Sequence, residues 1–161
     1  MDEFDRKILA CLQRDAGQSV AEVAEQVGLS ATPCWRRIRN LEKAGVIKGR
    51  VALLDRHELG LGTTVFVSVR TREHSEDWLD TFAKAVNDFE EVVEFHRMSG
   101  DIDYLLRVVV PDIASYDTFY KRLIEEVDLQ DVSSSFAMEE IKYTTALPLD
   151  YVQTEQPAKR T

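Results

Sequence analysis

A chain of 161 residues, 44% hydrophobic and 30% charged, is long enough to bury one apolar core or two small ones and has the make-up of a packed globular protein rather than a disordered or fibrous one. No apolar run approaches the roughly 20 residues of a membrane span, and the acidic start from Met1 to Arg6 lacks the basic-then-apolar order of a secretion signal, so a cytoplasmic location is expected. The net charge of −9 argues against a polyanionic partner only until it is divided: residues 1–50 carry nine Lys and Arg against seven Asp and Glu, and residues 51–161 carry eleven against twenty-two.

Residues 2–14 place Phe4, Ile8, Leu9 and Leu12 at helical spacing, with acids in the first turn where the helix dipole favours them. Gly17 ends this helix, Ser19 caps a second in which Val20, Val23, Ala24 and Val27 share a face, and Gly28 supplies a turn. Leu29 leads to Ser30, the N-cap candidate of a third helix that runs to about Ala44, with Thr32 and Pro33 in its first turn and Gly45 as its stop. Two short helices around so tight a turn predict a helix-turn-helix. Cys11 and Cys34 fall inside these apolar patterns and are expected as small buried hydrophobes in a reducing compartment, not as a disulfide.

The outer face of the third helix carries the chemistry. At about 100° per residue, Cys34, Ile38 and Leu41 turn inward, while Thr32, Arg36, Arg39 and Lys43 project to the opposite side. Between residues 30 and 50 only Glu42 offsets Arg36, Arg37, Arg39, Lys43, Lys48 and Arg50, a cationic patch of the kind that meets phosphates, although a solvated helix face has the same composition. Arg36 and Arg39 are candidates for base or phosphate contact, since Arg pairs with guanine in the major groove. Arg37 and Asn40 point to the flanks, toward phosphates. Trp35 lies between core and groove, either a wedge against the first helix or a contact to a thymine methyl or sugar. With Ser30, Thr32, Pro33 and Lys43 these residues form the candidate DNA-binding set. Residues 46–54 are predicted extended, a wing that would position the helix without adding specificity.

After Leu59-Gly60-Leu61-Gly62, a plausible hinge, residues 64–70 alternate Val65, Val67 and Val69 and read as a strand. Ser75 caps a helix with Trp78, Leu79, Phe82, Ala83 and Val86 on its buried face. Residues 92–98 and 103–110 read as two strands joined by a tight hairpin. A helix from about Asp112 carries Ile113, Tyr116, Phe119, Leu123 and Val127, and residues 132–143 read as the last strand. The order βαββαβ predicts a ferredoxin-like domain of the α+β class, with both helices on one sheet face. Phe66, Phe95, Tyr104, Leu106, Phe136 and Met138 put apolar residues on both sides, so a second subunit is expected over the open face. The domain limits are 1–50 for the helix-turn-helix, 51–62 for a linker, 63–149 for the sheet domain and 150–161 for a polar tail expected to be disordered.

In Gly100-Asp101-Ile102-Asp103, two carboxylates beside a turn suit a metal, a cationic group or acid/base work, and equally a hairpin in which Gly takes positive φ and Asp caps its own turn. His57, His74 and His96 share no ligand spacing with each other or with the cysteines. No Gly-rich phosphate loop or nucleophile elbow is present. Neither an enzyme nor a metal or cofactor is expected. Two alternatives to a specific regulator stay open: a sequence-indifferent architectural DNA binder, and a ferredoxin-like metabolite-binding protein without a DNA role.

The runs Asp2-Glu3-Phe4-Asp5-Arg6-Lys7-Ile8-Leu9, Gly28-Leu29-Ser30-Ala31-Thr32-Pro33-Cys34-Trp35-Arg36-Arg37, Leu41-Glu42-Lys43-Ala44-Gly45-Val46-Ile47, Ser99-Gly100-Asp101-Ile102-Asp103-Tyr104-Leu105-Leu106 and Ser135-Phe136-Ala137-Met138-Glu139-Glu140 resemble the Lrp/AsnC (feast/famine) regulators over nearly all of residues 1–149. The resemblance implies a winged helix-turn-helix, a βαββαβ ligand-binding domain, a homodimer that assembles further into an octamer, double-stranded DNA with a two-fold operator as partner, and an amino-acid effector. It also carries over an effector site: Arg97, Met98, Ser99, Gly100, Asp101 and Asp103, with Ile113, Ser135, Phe136 and Ala137 as walls. A carboxylate suits the effector's α-ammonium. Residues 51–55, 60–62, 74–75 and 141–148 look most like the branch that activates cysteine-detoxification genes, which favours cysteine; Arg97 stands where the leucine-responsive protein has an apolar residue.

Overall fold

The computed structural model describes residues 1–71, 75–127 and 129–153; His74 and residues 154–161 of the expected tail lie outside them. The chain divides into two units, Met1–Ala52 with the residues from Lys142 onward, and Leu53–Ile141.

Three helices build the first unit: α1 (Glu3–Arg14), α2 (Val20–Val27) and α3 (Ala31–Lys43). Their starts are written in the sequence. The Asp2 carboxylate accepts from the Asp5 backbone N–H while the Asp5 carboxylate accepts from that of Asp2, and Ser19 and Glu22 exchange the same pair of bonds at α2. Ser30 is the N-cap of α3, but its hydroxyl makes no capping hydrogen bond. Between α2 and α3, Gly28 sits at φ +74° while the Leu29 amide returns to the Ala24 carbonyl, a left-handed close that glycine adopts without a Cβ penalty. The apolar faces meet in one core of Ile8, Leu9, Cys11, Val23, Ala24, Val27, Cys34, Ile38 and Leu41, each under a tenth exposed.

Two features of this unit differ from expectation. The expected wing, residues 46–54, forms no strand: residues 46–47 are bends and residues 48–54 lie in no ladder. The chain also returns: Gln13 and Leu147 exchange two hydrogen bonds of 2.7 and 3.2 Å, Leu149 packs on the helical core, and Asp150 meets Arg6 at 3.0 Å. Residues expected at the end of the sheet domain and the start of a loose tail thus belong to the helical unit, with a short 3-10 turn at Leu149–Tyr151.

The second unit runs β1 (Thr63–Arg70), α4 (Glu76–Asn87), β2 (Val92–Arg97), β3 (Tyr104–Val110), α5 (Ile113–Glu126) and β4 (Asp131–Phe136). The sheet order is β2-β3-β1-β4 with every neighbour antiparallel, the ferredoxin-like order. β4 stops at Phe136 instead of continuing to Tyr143. The Ala137 amide makes a last bond to the Thr64 carbonyl, and β1 itself begins at Thr63, so nothing further remains to pair with. Both helices cover one face. Val65, Val67, Val69, Tyr104, Leu106, Val108 and Val110 meet Phe82, Val86, Phe119 and Leu123 there. Phe95, Tyr104, Leu106 and Phe136, expected to spread over both faces, all lie on this side. Their register partners and ring contacts place them with the core, Phe95 and Tyr104 edge-on or tilted against Phe82. The open face carries Phe66, Leu105 and Val109 among Ser68, Ser133, Ser135 and an Arg107–Glu94–His96 cluster. Met138 lies past the sheet, 95% exposed.

Candidate nucleic-acid interface and effector surfaces

On α3 the inward residues Cys34, Ile38 and Leu41 are buried, the outward Thr32, Arg36, Arg39 and Lys43 are exposed as the helical angle requires, and Asn40 on the flank is exposed as well. Pro33 is half-buried in the first turn. Trp35 is 54% exposed, so its ring stands largely in solvent and is not a wedge in the core. Because Ser30 leaves its hydroxyl uncommitted to the cap, the helix N-terminus presents backbone N–H groups and a hydroxyl suited to a phosphate oxygen.

The arginines differ in their engagements. Arg39 pairs with Glu42 one turn on at 2.9 Å, and Arg50 reaches the other oxygen of Glu42 at 3.4 Å, both exposed and easily exchanged. Arg36 forms no ion pair among the described residues. Arg37 lies on the flank toward α1: its Nη1 is 2.7 Å from both the Asp2 and Asp5 carboxylates, and its guanidinium stacks 5.5 Å from the Phe4 ring centre. The Asp5 hydrogen bond raises the Arg37 pKa against the opposing effect of burial. At Asp2, burial pushes the carboxyl up, but the Asp5 amide and Arg37 outweigh it and hold the pKa below its ordinary 3.8. Burial, with the neighbouring Cys11, pushes the Cys34 thiol up and away from the reactive thiolate.

The residues carried over as an effector site fall into two groups. In the hairpin, the Met98 amide donates to the Asp103 carbonyl at 2.8 Å, Gly100 takes φ +119°, and the Asp103 carboxylate accepts from the Thr71 amide at 2.8 Å. Arg97, Met98, Ser99 and Asp101 are exposed around it. The positive-φ glycine of the hairpin reading is present, but the Asp103 carboxylate does not cap its own turn; it ties the hairpin to Thr71 at the end of β1. Ile113, Phe136 and Ala137 lie at the other end of the sheet: β3 leaves the hairpin at Tyr104 and reaches Val110 just before Ile113, and Phe136 pairs with Val65 far from Thr71. Seven residues of strand span roughly 20 Å, too far for one small molecule to bridge. Ser135 faces the open side.

Beside the second group the structure adds Tyr116, which periodicity had assigned simply to a helix core, and residues of α5 and β4 that it had not singled out. A groove of about 250 Å³ is lined by Ile113, Tyr116, Asp117, Tyr120, Val132 and Ser134. The Tyr116 hydroxyl meets the Ser134 hydroxyl at 2.5 Å, and Phe136 packs edge-on to the Tyr116 ring. The signal in the sequence was the pair Tyr116 and Tyr120 at i, i+4, but Ser134 enters only through the β4 register.

A helix-turn-helix with an exposed basic second helix, in one chain with a ferredoxin-like domain, defines the class of two-domain DNA-binding regulators. The winged helix-turn-helix DNA-binding family matches residues 1–48 and the Lrp/AsnC ligand binding domain family residues 64–147. The chain is 55% identical over 160 residues to the glutamate uptake regulatory protein of Zymomonas mobilis, covering 99% of this chain and 96% of that one. The crystal structure of an AsnC family transcriptional regulator from Agrobacterium tumefaciens superposes with a TM-score of 0.93 at 62% identity, over 95% of this chain and all of that one. A Neisseria meningitidis transcriptional regulator in complex with L-Met superposes at 0.90 with 36% identity, over 95% and 99%. The protein belongs to the Lrp/AsnC family and is a DNA-binding transcriptional regulator with a ligand-binding domain.

Proposed function

We propose that the protein binds a two-fold operator through α3, senses a small amino acid through the sheet domain, and adjusts the expression of amino-acid metabolism genes in the cytoplasm. The observation that carries the DNA half is the exposed row Thr32, Arg36, Arg39, Asn40 and Lys43, backed by a buried Cys34, Ile38 and Leu41 that fix which way it points. Arg36 and Arg39 are assigned to base edges or phosphates, and Ser30, Thr32, Pro33, Trp35, Asn40 and Lys43 to the surrounding backbone and groove wall.

The effector half rests on the hairpin at Asp103, whose carboxylate suits an ammonium group, and on the wall residues Ile113, Ser135, Phe136 and Ala137. Since one chain holds these two groups at opposite ends of its sheet, the assignment of both to a single site calls for a second copy of the chain. Val51, Leu53, Leu54, Met138 and Ile141, each at least 66% exposed, call for cover of the same kind. A homodimer supplies two recognition helices about one DNA turn apart, and an octamer multiplies the arrangement. Cysteine is the effector favoured by the sequence resemblance; the relative named for glutamate uptake and the neighbour bound to L-Met make glutamate and methionine its competitors.

Fluorescence anisotropy on DNA from upstream of the gene, against random duplex and with each amino acid added in turn, tests both halves. The expected result is a preference of about 10³ or more over random DNA, shifted by cysteine. Binding without preference supports an architectural role instead, and a shift by another amino acid alone replaces cysteine as the effector.

A further inference from the structure

Arg37 is one of three arginines within four residues of the recognition helix, and composition gives no reason to treat it differently from Arg36 or Arg39. Its surroundings do. The side chain is 29% exposed, against 55% for Arg39, and its Nη1 lies between two carboxylates, those of the α1 N-cap Asp2 and of Asp5 in the first turn. Those carboxylates are the members of the α1 capping box, already held in place by each other's backbone N–H at 3.0 Å. Phe4, between them in sequence, lays its ring beside the guanidinium.

The Arg37 guanidinium is matched by two carboxylates, and Lys7, over the same Phe4 ring, is matched by Glu3, so neither cation of this corner is left over for a DNA phosphate. From this arrangement we infer that Arg37 does not touch DNA but is a positioning residue, which through the Asp2–Asp5 capping box fixes the rotation of α3 about its axis relative to α1 and so aims Arg36 and Arg39. The buried Cys34, Ile38 and Leu41 set which face of α3 turns outward, and the charged clamp adds to them a directional contact at a defined azimuth on the flank of the helix. The same clamp explains why an acidic α1 start sits in a unit whose task is to meet a polyanion: two of its three acids, Asp2 and Asp5, are spent on Arg37, while Glu3 pairs with Lys7 at 2.8 Å.

The two roles predict opposite signs. The full-length protein and its Arg37→Ala, Arg37→Lys and Asp5→Asn variants are titrated by anisotropy against a duplex selected from a random library by the unmutated protein, and against random duplex, over a series of salt concentrations. Asn at position 5 keeps an oxygen for the Asp2 N–H, so the cap and the fold are retained, and melting curves are recorded alongside. If Arg37 positions α3, Arg37→Ala and Asp5→Asn each lower the preference for the selected duplex about tenfold or more, and the slope of log K against log salt is unchanged. If it contacts a phosphate, the slope falls by about 0.9 in Arg37→Ala. Asp5→Asn then frees the cation and tightens binding, and Arg37→Lys, still a good phosphate partner, binds nearly as the unmutated protein does. That second pattern overturns the inference. Should Arg37→Ala fail to fold, Asp5→Asn and Arg37→Lys still decide it, and the slope is readable on random duplex even if no selected sequence emerges.

Discussion

Arg36 has its full cationic charge turned to solvent with no ion-pair partner among the described residues, so its removal costs the fold nothing that the structure shows. Arg36→Ala is expected to keep the unmutated melting curve while operator affinity drops by about 1–3 kcal/mol; an unchanged affinity would remove Arg36 from the interface. Ser19 is the reverse case, a residue that begins α2 by exchanging bonds with Glu22. Ser19→Ala should destabilise the helical unit by about 1 kcal/mol in a denaturant titration without altering DNA specificity. The Asp2 carboxyl, held below its ordinary 3.8, sets a pH dependence. A group whose pKa is lower in the folded state stabilises that state above its unfolded value and loses the contribution as the pH falls through the folded value. The Asp2 arm of the clamp on Arg37 is accordingly intact at neutral pH and is lost only as the pH falls below the ordinary carboxylate range. An unfolding curve whose acid limb does not move in Asp2→Asn would contradict this.

At the scale of elements, the turn between α2 and α3 depends on a glycine for conformation alone. A Cβ at Gly28 would meet nothing within 4 Å, yet φ is +74°. Gly28→Ala is therefore expected to cost about 1–2 kcal/mol from backbone strain only, measurable as a lower midpoint in urea. In the sheet unit the corresponding weak point is packing. Phe119 is fully buried in α5 with its ring edge-on to Phe89, and Phe119→Ala should cost about 3–5 kcal/mol. Helix periodicity located both of these elements, because capping residues and an apolar stripe are local signals. It missed the end of β4, since a strand's length is set by the partner it pairs with, and β1 ends first.

For the whole molecule, the return of residues 142–151 to α1 makes the helical unit a product of both chain ends. Deleting residues 142–161 removes Leu149 from the edge of its core and the paired Gln13–Leu147 bonds. The expected outcome in calorimetry is an earlier melting of the helical unit with the sheet unit's transition in place; coincident loss of both would show that the segment is needed by the second unit as well.

The helix-turn-helix, its outward basic face, the βαββαβ order and the hairpin at Gly100 were all legible in the amino-acid sequence, because each is dictated by neighbours a few residues apart: a cap, a period, a glycine that alone tolerates its turn. The family itself was legible for the same reason, through short runs that recur in order. Three things required the tertiary structure. The helical period placed Arg37 on the flank, but its engagement appeared only when α1 was seen to bring two carboxylates against it. The carried-over effector residues could be seen to lie at the two ends of one sheet only from the strand register. The groove beside Tyr116 and Ser134 exists only because residues eighteen positions apart are brought within 2.5 Å. Spacing along a chain specifies which residues share a face, and the burial of that face against other elements decides which of them remain free to act.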